Sequence, residues 1–190
     1  MDNFLSFSDF RQEWLADIVD GNPSTVELGN RFSRKLITQW LDVSEDSDDI
    51  IYCDGSGDGG IDIAFLQRDE VDGNGVVGHT WYLVQSKYGC AFQGTDTLFI
   101  EGRKVIETLS GHRQTLSSIA QDLYTRLYTF MAQASEHDQI ILVFASIEPL
   151  TEEDERAMND VRILGQERLG GRFEVVSVTV NTIYEKAVDT

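Results

Sequence analysis

An eight-residue apolar run constrains the fold of this chain more than any other stretch. Residues Gln139–Ser146 (QIILVFAS) contain almost no polar position, so a strand here would bury both of its faces. Such a strand lies inside a sheet that has helices above and below it. The sequence therefore predicts an α/β fold, a mixed sheet flanked by helices, and its 190 residues suffice for one such domain.

Helical and strand patterns surround this run. Helices are predicted at about 8–20, 24–41, 112–135 and 151–169. Strands are predicted at about 49–53, 61–67, 80–88, 139–146 and 173–180. Asp-Gly and Asn-Gly pairs within residues 68–79 are hairpin signals, so the first three strands should form an antiparallel meander. The predicted order is α-α-β-β-β-α-β-α-β.

The segment 89–110 shows no regular periodicity, and no element is predicted there. We expect one domain over 1–190, with a core at about 24–147. An N-terminal helix within 1–22 precedes this core, and a C-terminal helix and strand within 148–190 follow it. The same sequence would also serve as the leading domain of a longer protein.

Charge and composition exclude several classes of protein. The formal net charge of -18 argues against a general nucleic-acid binder, because phosphate contacts need Lys and Arg. Cys53 and Cys90 form no CxxC motif, which argues against a structural zinc site and a disulfide framework. The sequence has no apolar stretch long enough to span a membrane and no signal-peptide pattern, so we expect a cytoplasmic protein.

The acidic glycine-rich turn at residues 53–66 (CDGSGDGGIDIAFL) has two interpretations. In the first it is a calcium loop, because its oxygen-bearing residues fall at positions typical of an EF-hand. Position 12 of that loop, however, is Phe65, where a bidentate Glu is required, and the flanking segments are strand-like. A calcium-binding module with weak affinity is therefore the less favoured hypothesis.

The second interpretation connects this turn with the strand that follows the hairpin. Asp62 opens one predicted strand, and the next strand carries Gln85, Ser86 and Lys87. Alternation places Gln85 and Lys87 on one face of that strand. An acid that holds a divalent cation beside a Lys is an arrangement suited to phosphodiester hydrolysis.

These two motifs, DGGID and QSK, resemble the PD-(D/E)xK nuclease superfamily in its QxK variant. Mrr-like restriction endonucleases and the N-terminal domain of abortive-infection phage-resistance proteins carry similar pairs. The resemblance covers about residues 24–147. It implies a restriction-endonuclease-like core of order α-β-β-β-α-β, with the acid on the second strand and QxK on the third.

The resemblance also implies an activity. We expect a metal-dependent endonuclease that hydrolyses DNA with Mg²⁺ or Mn²⁺ and leaves a 5′-phosphate, in defence against phage or foreign DNA. Asp62, Gln85 and the backbone carbonyl of Ser86 would hold the metal, and Lys87 would orient the attacking water. The motif does not distinguish DNA from RNA. Cutting both strands of a duplex needs two sites, which a homodimer would supply.

Two further acids have open roles. Glu27 matches an acid that the family often adds from the helix before the first strand, so it is a candidate catalytic residue and metal ligand. Ser24 lies three residues earlier, and this spacing equally predicts a capping box in which Glu27 only caps its helix. Asp58 would restore the charge that Gln85 lacks, or would shape the glycine-rich turn.

Six basic residues are candidate DNA contacts: Arg31, Arg34, Lys35, Arg103, Lys104 and Arg113. The alternative, which we favour, is that they pair with the many acids of this chain. The net charge and the neutral Gln85 also motivate a competing hypothesis for the whole protein, a catalytically inactive nuclease fold that serves as a binding or assembly domain.

Overall fold

Five strands form one mixed sheet whose spatial order follows the chain. The computed structural model describes residues 5–53, 60–68, 78–88, 92, 97–111 and 116–189. The strands are β1 (Ile50–Tyr52), β2 (Ile63–Arg68), β3 (His79–Lys87), β4 (Gln139–Ser146) and β5 (Phe173–Thr179). Residues 69–77 of the hairpin predicted at 68–79, the acids Asp54 and Asp58, and Arg113 lie outside the described residues.

The sheet changes from antiparallel to parallel at β3. β1, β2 and β3 pair antiparallel, which confirms the predicted meander. β4 and β5 then add in parallel, with Lys87 beside Ser146 and Ser146 beside Thr179. The carboxyl ends of the three parallel strands therefore share one edge of the sheet, and β2 begins at that same edge because it runs the opposite way.

Helices cover both faces of the sheet, as the apolar run in β4 predicts. Alternate residues of β4 belong to different core clusters: Leu142 and Phe144 to one, Val143 and Ala145 to the other. One face packs against α1 (Phe7–Val19), α2 (Thr25–Leu41) and α6 (Val180–Val188). The other packs against α3 (Thr97–Leu109), α4 (Ser118–Gln133) and α5 (Glu152–Leu169). The mixed α/β fold class is thus confirmed.

Two of these helices, α3 and α6, were not predicted. The segment that contains α3 showed no periodicity, partly because Gly102 lies in the middle of the helix. A Cβ at Gly102 would lie 2.7 Å from both methyl carbons of Val161, so only glycine lets α3 approach α5 this closely. α6 begins directly at the end of β5, where Thr179 caps it.

The predicted ends of the other elements agree with the structure within two residues, except that α4 begins at Ser118, six residues after its predicted start at about 112. Thr151 caps α5, and Gly170, with φ of 91°, terminates it. None of the helices in the described ranges is long and apolar enough to cross a membrane.

Candidate active site

Asp62 lies at the edge of the sheet where the parallel strands end. It immediately precedes β2, and its main-chain N–H donates to the carbonyl of Val84 at 2.8 Å. The regular pairing of β2 with β3 ends at Ile63 and Val84, and the hydrogen bond of Asp62 goes to this same Val84, so the register shifts at Asp62. Asp62 therefore lies beside the end of β3, next to Val84 and Ser86.

A second contact joins Asp62 to β3. Its Oδ2 accepts a hydrogen bond of 2.7 Å from the main-chain N–H of Ser86. The carboxylate is half-buried, and it thus lies against the strand that carries the QSK motif. This hydrogen bond holds one oxygen of Asp62 in a defined position beside Gln85.

Gln85 and Lys87 lie on the face of the sheet that α3 covers. Trp81 and Leu83 of β3 belong to the core cluster that includes α3, so alternation directs Gln85 and Lys87 to the same side. Gln85 is buried, with 4% of its surface exposed. Lys87 is half-buried at the end of the strand. The structure thus brings Asp62, Gln85 and Lys87 to one edge of the sheet, with Gln85 and Lys87 on the face covered by α3.

A fourth residue at this site, Glu101 of α3, was missed by sequence reasoning. Gln85 Nε2 donates to Glu101 Oε2 at 2.6 Å, and Lys104 Nζ donates to Glu101 Oε1 at 2.9 Å. The sequence signal was a Glu and a Lys three residues apart, the spacing of a helical ion pair. It lay in the segment where no helix was predicted.

The electrostatic environment keeps Glu101 ionised. Burial acts to raise the pKa of its carboxyl, but hydrogen bonds from Lys104 and Gln85 outweigh that effect. The positive charges of Lys104 and Lys87 act in the same direction, and the pKa lies below its ordinary value. Lys87 is therefore close enough to Glu101 for its positive charge to lower the pKa of that carboxyl.

Gln85 has one polar atom without a partner. Its Oε1 is buried and accepts no hydrogen bond, a property it shares among the described side chains only with Arg34 Nε and His79 Nδ1. An unpaired buried amide oxygen is costly, and such a group calls for an explanation. Amide and carboxylate oxygens are the ligands that Mg²⁺ prefers, so this atom together with Asp62 fits a divalent cation.

The turn before Asp62 packs directly on α3. Gly60 has φ of +91°, and a Cβ there would lie 3.1 Å from Val105 Cγ2 and 3.5 Å from the Cβ of Lys104. Both the backbone conformation and the close approach require glycine at this position. Gly60 therefore packs the turn that precedes Asp62 against the helix that carries Glu101.

Glu27 does not join this group. Both hydrogen bonds of the capping box are present: Ser24 N–H donates to Glu27 Oε2 at 2.8 Å, and Glu27 N–H donates to the hydroxyl of Ser24. Hydrogen bonds from Ser24 hold the pKa of Glu27 below its ordinary value. The predicted cap is confirmed, and it lies on α2, which covers the opposite face of the sheet. A catalytic role for Glu27 stays a prediction.

The candidate DNA contacts on α2 make internal contacts. Arg31 donates to the carbonyls of Ile18 and Asp20 at the end of α1. Lys35 donates to the carbonyl of Trp14 and lies over its ring. These two cations tie α2 to α1. Lys35 also pairs with Asp17 at 3.1 Å, as the favoured alternative predicts, whereas the hydrogen bonds of Arg31 go to main-chain carbonyls.

The other described candidates behave similarly. The guanidinium of Arg34 lies 4.6 Å from the centre of the Tyr52 ring. Arg103 pairs with Glu107 one turn away on α3, and Lys104 pairs with Glu101. Phosphate contact by these residues stays a prediction that their observed partners do not support.

The segments on either side of the glycine-rich turn argue against the calcium hypothesis. The glycine-rich turn is bounded by β1 and β2, whereas an EF-hand loop is bounded by helices. Within the described ranges, no group of three His, Cys, Asp or Glu side chains could hold a metal ion. A cation at the site would thus depend on Asp62 together with the neutral oxygen of Gln85.

No family model, curated protein or solved structure matches this chain. The function proposed below therefore rests on the motif and on the geometry of the site.

Proposed function

We propose that this protein is a metal-dependent endonuclease that hydrolyses phosphodiester bonds of DNA. One observation carries the proposal: the carboxylate of Asp62 accepts from Ser86 N–H, next to Gln85, whose buried Oε1 has no hydrogen-bond partner, and Lys87 lies on the same face as Gln85. This places an anionic oxygen, a neutral oxygen and a cation at one sheet edge, which is the combination that the motif requires.

Each residue has a defined role in this proposal. Asp62, the amide oxygen of Gln85 and the backbone carbonyl of Ser86 would hold Mg²⁺ or Mn²⁺. When bound, such a cation polarises the phosphate and lowers the pKa of a coordinated water. Lys87 orients the attacking water and offsets the negative charge that develops on the phosphate. The hydrogen bond from Ser86 N–H holds Asp62 in place for this task.

The fold supports the same proposal. α2, β1, β2, β3 and β4 occur in the α-β-β-β-α-β order that the resemblance implies, with two helices, α3 and α4, between β3 and β4. Asp62 immediately precedes the second strand, and Gln85 and Lys87 lie on the third. Defence against foreign DNA, a cytoplasmic location and a homodimer that cuts both strands belong to this proposal.

A second candidate function is a non-catalytic domain of the same fold. The net charge of -18 and the internal partners of the described basic residues on α2 and α3 favour it, since both disfavour phosphate binding. In that case the site would bind no divalent cation.

The test combines plasmid cleavage with Mn²⁺ and Mg²⁺ titration by calorimetry on the purified chain. We expect the wild type to bind Mn²⁺ and nick DNA, and Asp62→Asn to lose both properties. Asp122→Asn, an exposed acid on α4, is the matched control and should behave like the wild type. Cleavage by Asp62→Asn at the wild-type rate would refute the assignment. A wild type that binds neither cation at millimolar concentration would favour the non-catalytic domain.

A further inference from the structure

We infer that Glu101 is a positioning residue that determines which end of the Gln85 amide is bound to α3 and which end is left for a cation. The inference rests on the proposed function, because it concerns how the same site presents its neutral oxygen to a cation. It assigns a role to a residue that lies on α3, outside both sequence motifs.

The orientation of Gln85 follows from the chemistry of its partner. An ionised carboxylate only accepts hydrogen bonds, so the 2.6 Å contact with Glu101 must be made by the NH₂ end of the amide. The two ends of a glutamine amide are otherwise nearly equivalent in shape. With Nε2 held by Glu101, Oε1 is directed elsewhere, and there it accepts no hydrogen bond.

The reversed amide is strongly disfavoured next to Glu101. It would place Oε1 against a carboxylate oxygen, and two acceptors at hydrogen-bonding distance repel each other. It would also direct the partially positive NH₂ group to where Oε1 is now. Glu101 therefore excludes the one orientation of Gln85 that would oppose a cation at this edge.

Glu101 is itself anchored. Its Oε1 accepts from Lys104, which is one turn further along α3, and its side chain is 16% exposed. One carboxylate oxygen thus accepts from Lys104 and the other from Gln85. The contact with Lys104 fixes the carboxylate, so the carboxylate can fix the amide of Gln85. The position of α3 is fixed by two close contacts, that of Gly60 with Val105 and that of Gly102 with Val161.

The decisive variant is Glu101→Gln. Lys104 can only donate, so the new amide must turn its oxygen toward Lys104 and its NH₂ group toward Gln85. Gln85 must then accept, which reverses its amide and directs Nε2 to the site. All side chains keep nearly the same size and the hydrogen bonds remain, so the melting temperature of the metal-free protein should shift by less than about 4 °C.

Affinity for Mn²⁺ should nonetheless fall at least about tenfold in Glu101→Gln, the usual consequence of removing a partner that orients a ligand. Glu107→Gln is the matched control: this residue lies on the same helix and pairs with Arg103, and it should retain wild-type affinity. The rescue is the double variant Gln85→Glu/Glu101→Gln. There the amide at position 101 donates to the carboxylate at position 85, and Mn²⁺ affinity should return to the wild-type value or exceed it.

A second readout needs no metal. In the wild type, Glu101 shields the side-chain amide protons of Gln85, and NMR should show them protected from solvent exchange. In Glu101→Gln the reversed amide no longer donates to residue 101, so its protons should exchange faster than in the wild type. Equal protection in both proteins, or equal Mn²⁺ affinity, would overturn the inference and leave the proposed function standing. A wild type that shows the protected amide but binds no Mn²⁺ would instead overturn the proposed function, together with the role of Glu101 in it.

Discussion

The main-chain N–H of Ser86 donates a hydrogen bond of 2.7 Å to Oδ2 of Asp62, and this contact joins β3 to the turn before β2. The carboxylate therefore has a structural role besides any chemistry. Loss of activity on removing Asp62 would be ambiguous unless the hydrogen bond is preserved. This relationship determines how the candidate site should be probed.

Asp62→Ala should lower the free energy of unfolding by about 1–2 kcal/mol, because the half-buried N–H of Ser86 loses its acceptor. Asp62→Asn can still accept this hydrogen bond through its amide oxygen, and it should retain most of the stability. Both variants should lose Mn²⁺ binding. Urea unfolding and calorimetry measure the two effects separately. Wild-type stability in Asp62→Ala would show that the hydrogen bond contributes nothing.

Lys87→Met should reduce DNA cleavage by about 10²-fold or more, because the charge that stabilises the developing phosphate anion is removed. Affinity for Mn²⁺ should not fall, since a cation near the metal site opposes metal binding. Arg156→Met, an exposed cation on α5, is the matched control. A loss of Mn²⁺ affinity in Lys87→Met would mean that Lys87 supports the site structurally and does not act on the substrate.

Glu27→Gln should leave Mn²⁺ affinity and cleavage unchanged. The amide oxygen can still accept from Ser24 N–H, so the capping box is retained. Ser24→Ala, by contrast, should cost about 1 kcal/mol of stability through loss of the cap. If Glu27→Gln abolishes metal binding at unchanged stability, Glu27 is the additional ligand that the family resemblance suggested.

Gly102→Ala should destabilise the protein by about 1–3 kcal/mol, because the new methyl group would overlap Val161 and α3 would have to move away from α5. Gly29→Ala is a matched helical control, since a Cβ there meets nothing within 4 Å. That change should be neutral or stabilising by up to about 1 kcal/mol. Thermal and urea unfolding compare the two. Equal stability of both variants would contradict the tight α3–α5 contact.

Asp138 should make folding stability depend on acidic pH. Burial acts to raise the pKa of its carboxyl, but hydrogen bonds from the main-chain N–H groups of Ser135 and His79 hold the pKa below the ordinary value of 3.8. Its contribution is therefore present above about pH 4 and is lost as the pH falls through the folded-state pKa.

Asp138→Asn removes this titration. Between about pH 5 and about pH 2, the free energy of unfolding of this variant should therefore change less than that of the wild type. Asp122→Asn, on the exposed side of α4, is the control and should follow the wild-type profile. Parallel profiles for wild type and Asp138→Asn would refute the prediction.

Periodicity was sufficient to predict the sheet and four of the helices, because burial on one or both faces leaves a regular pattern. It failed for α3, where Ile100 is 43% exposed whereas Gly102 and Thr108 are buried. On α3 the contact with Val161 of α5 requires a glycine at position 102, so the buried side of the helix is not marked by hydrophobic residues. Glu101 was missed for the same reason, since a residue cannot be assigned to a site from an unpredicted helix.

The sequence by itself determined that Gln85 and Lys87 share a face, because strand alternation is a local property of the backbone. It also predicted Asp62 at the start of the neighbouring strand, and in the structure Asp62 immediately precedes that strand. Only the tertiary structure decided which residue orients Gln85, since Glu101 and Gln85 are 16 positions apart and meet through the docking of α3. It also placed the Glu27 cap on a helix of the opposite layer. Contacts between layers depend on how helices dock on the sheet, and that docking is set by non-local packing.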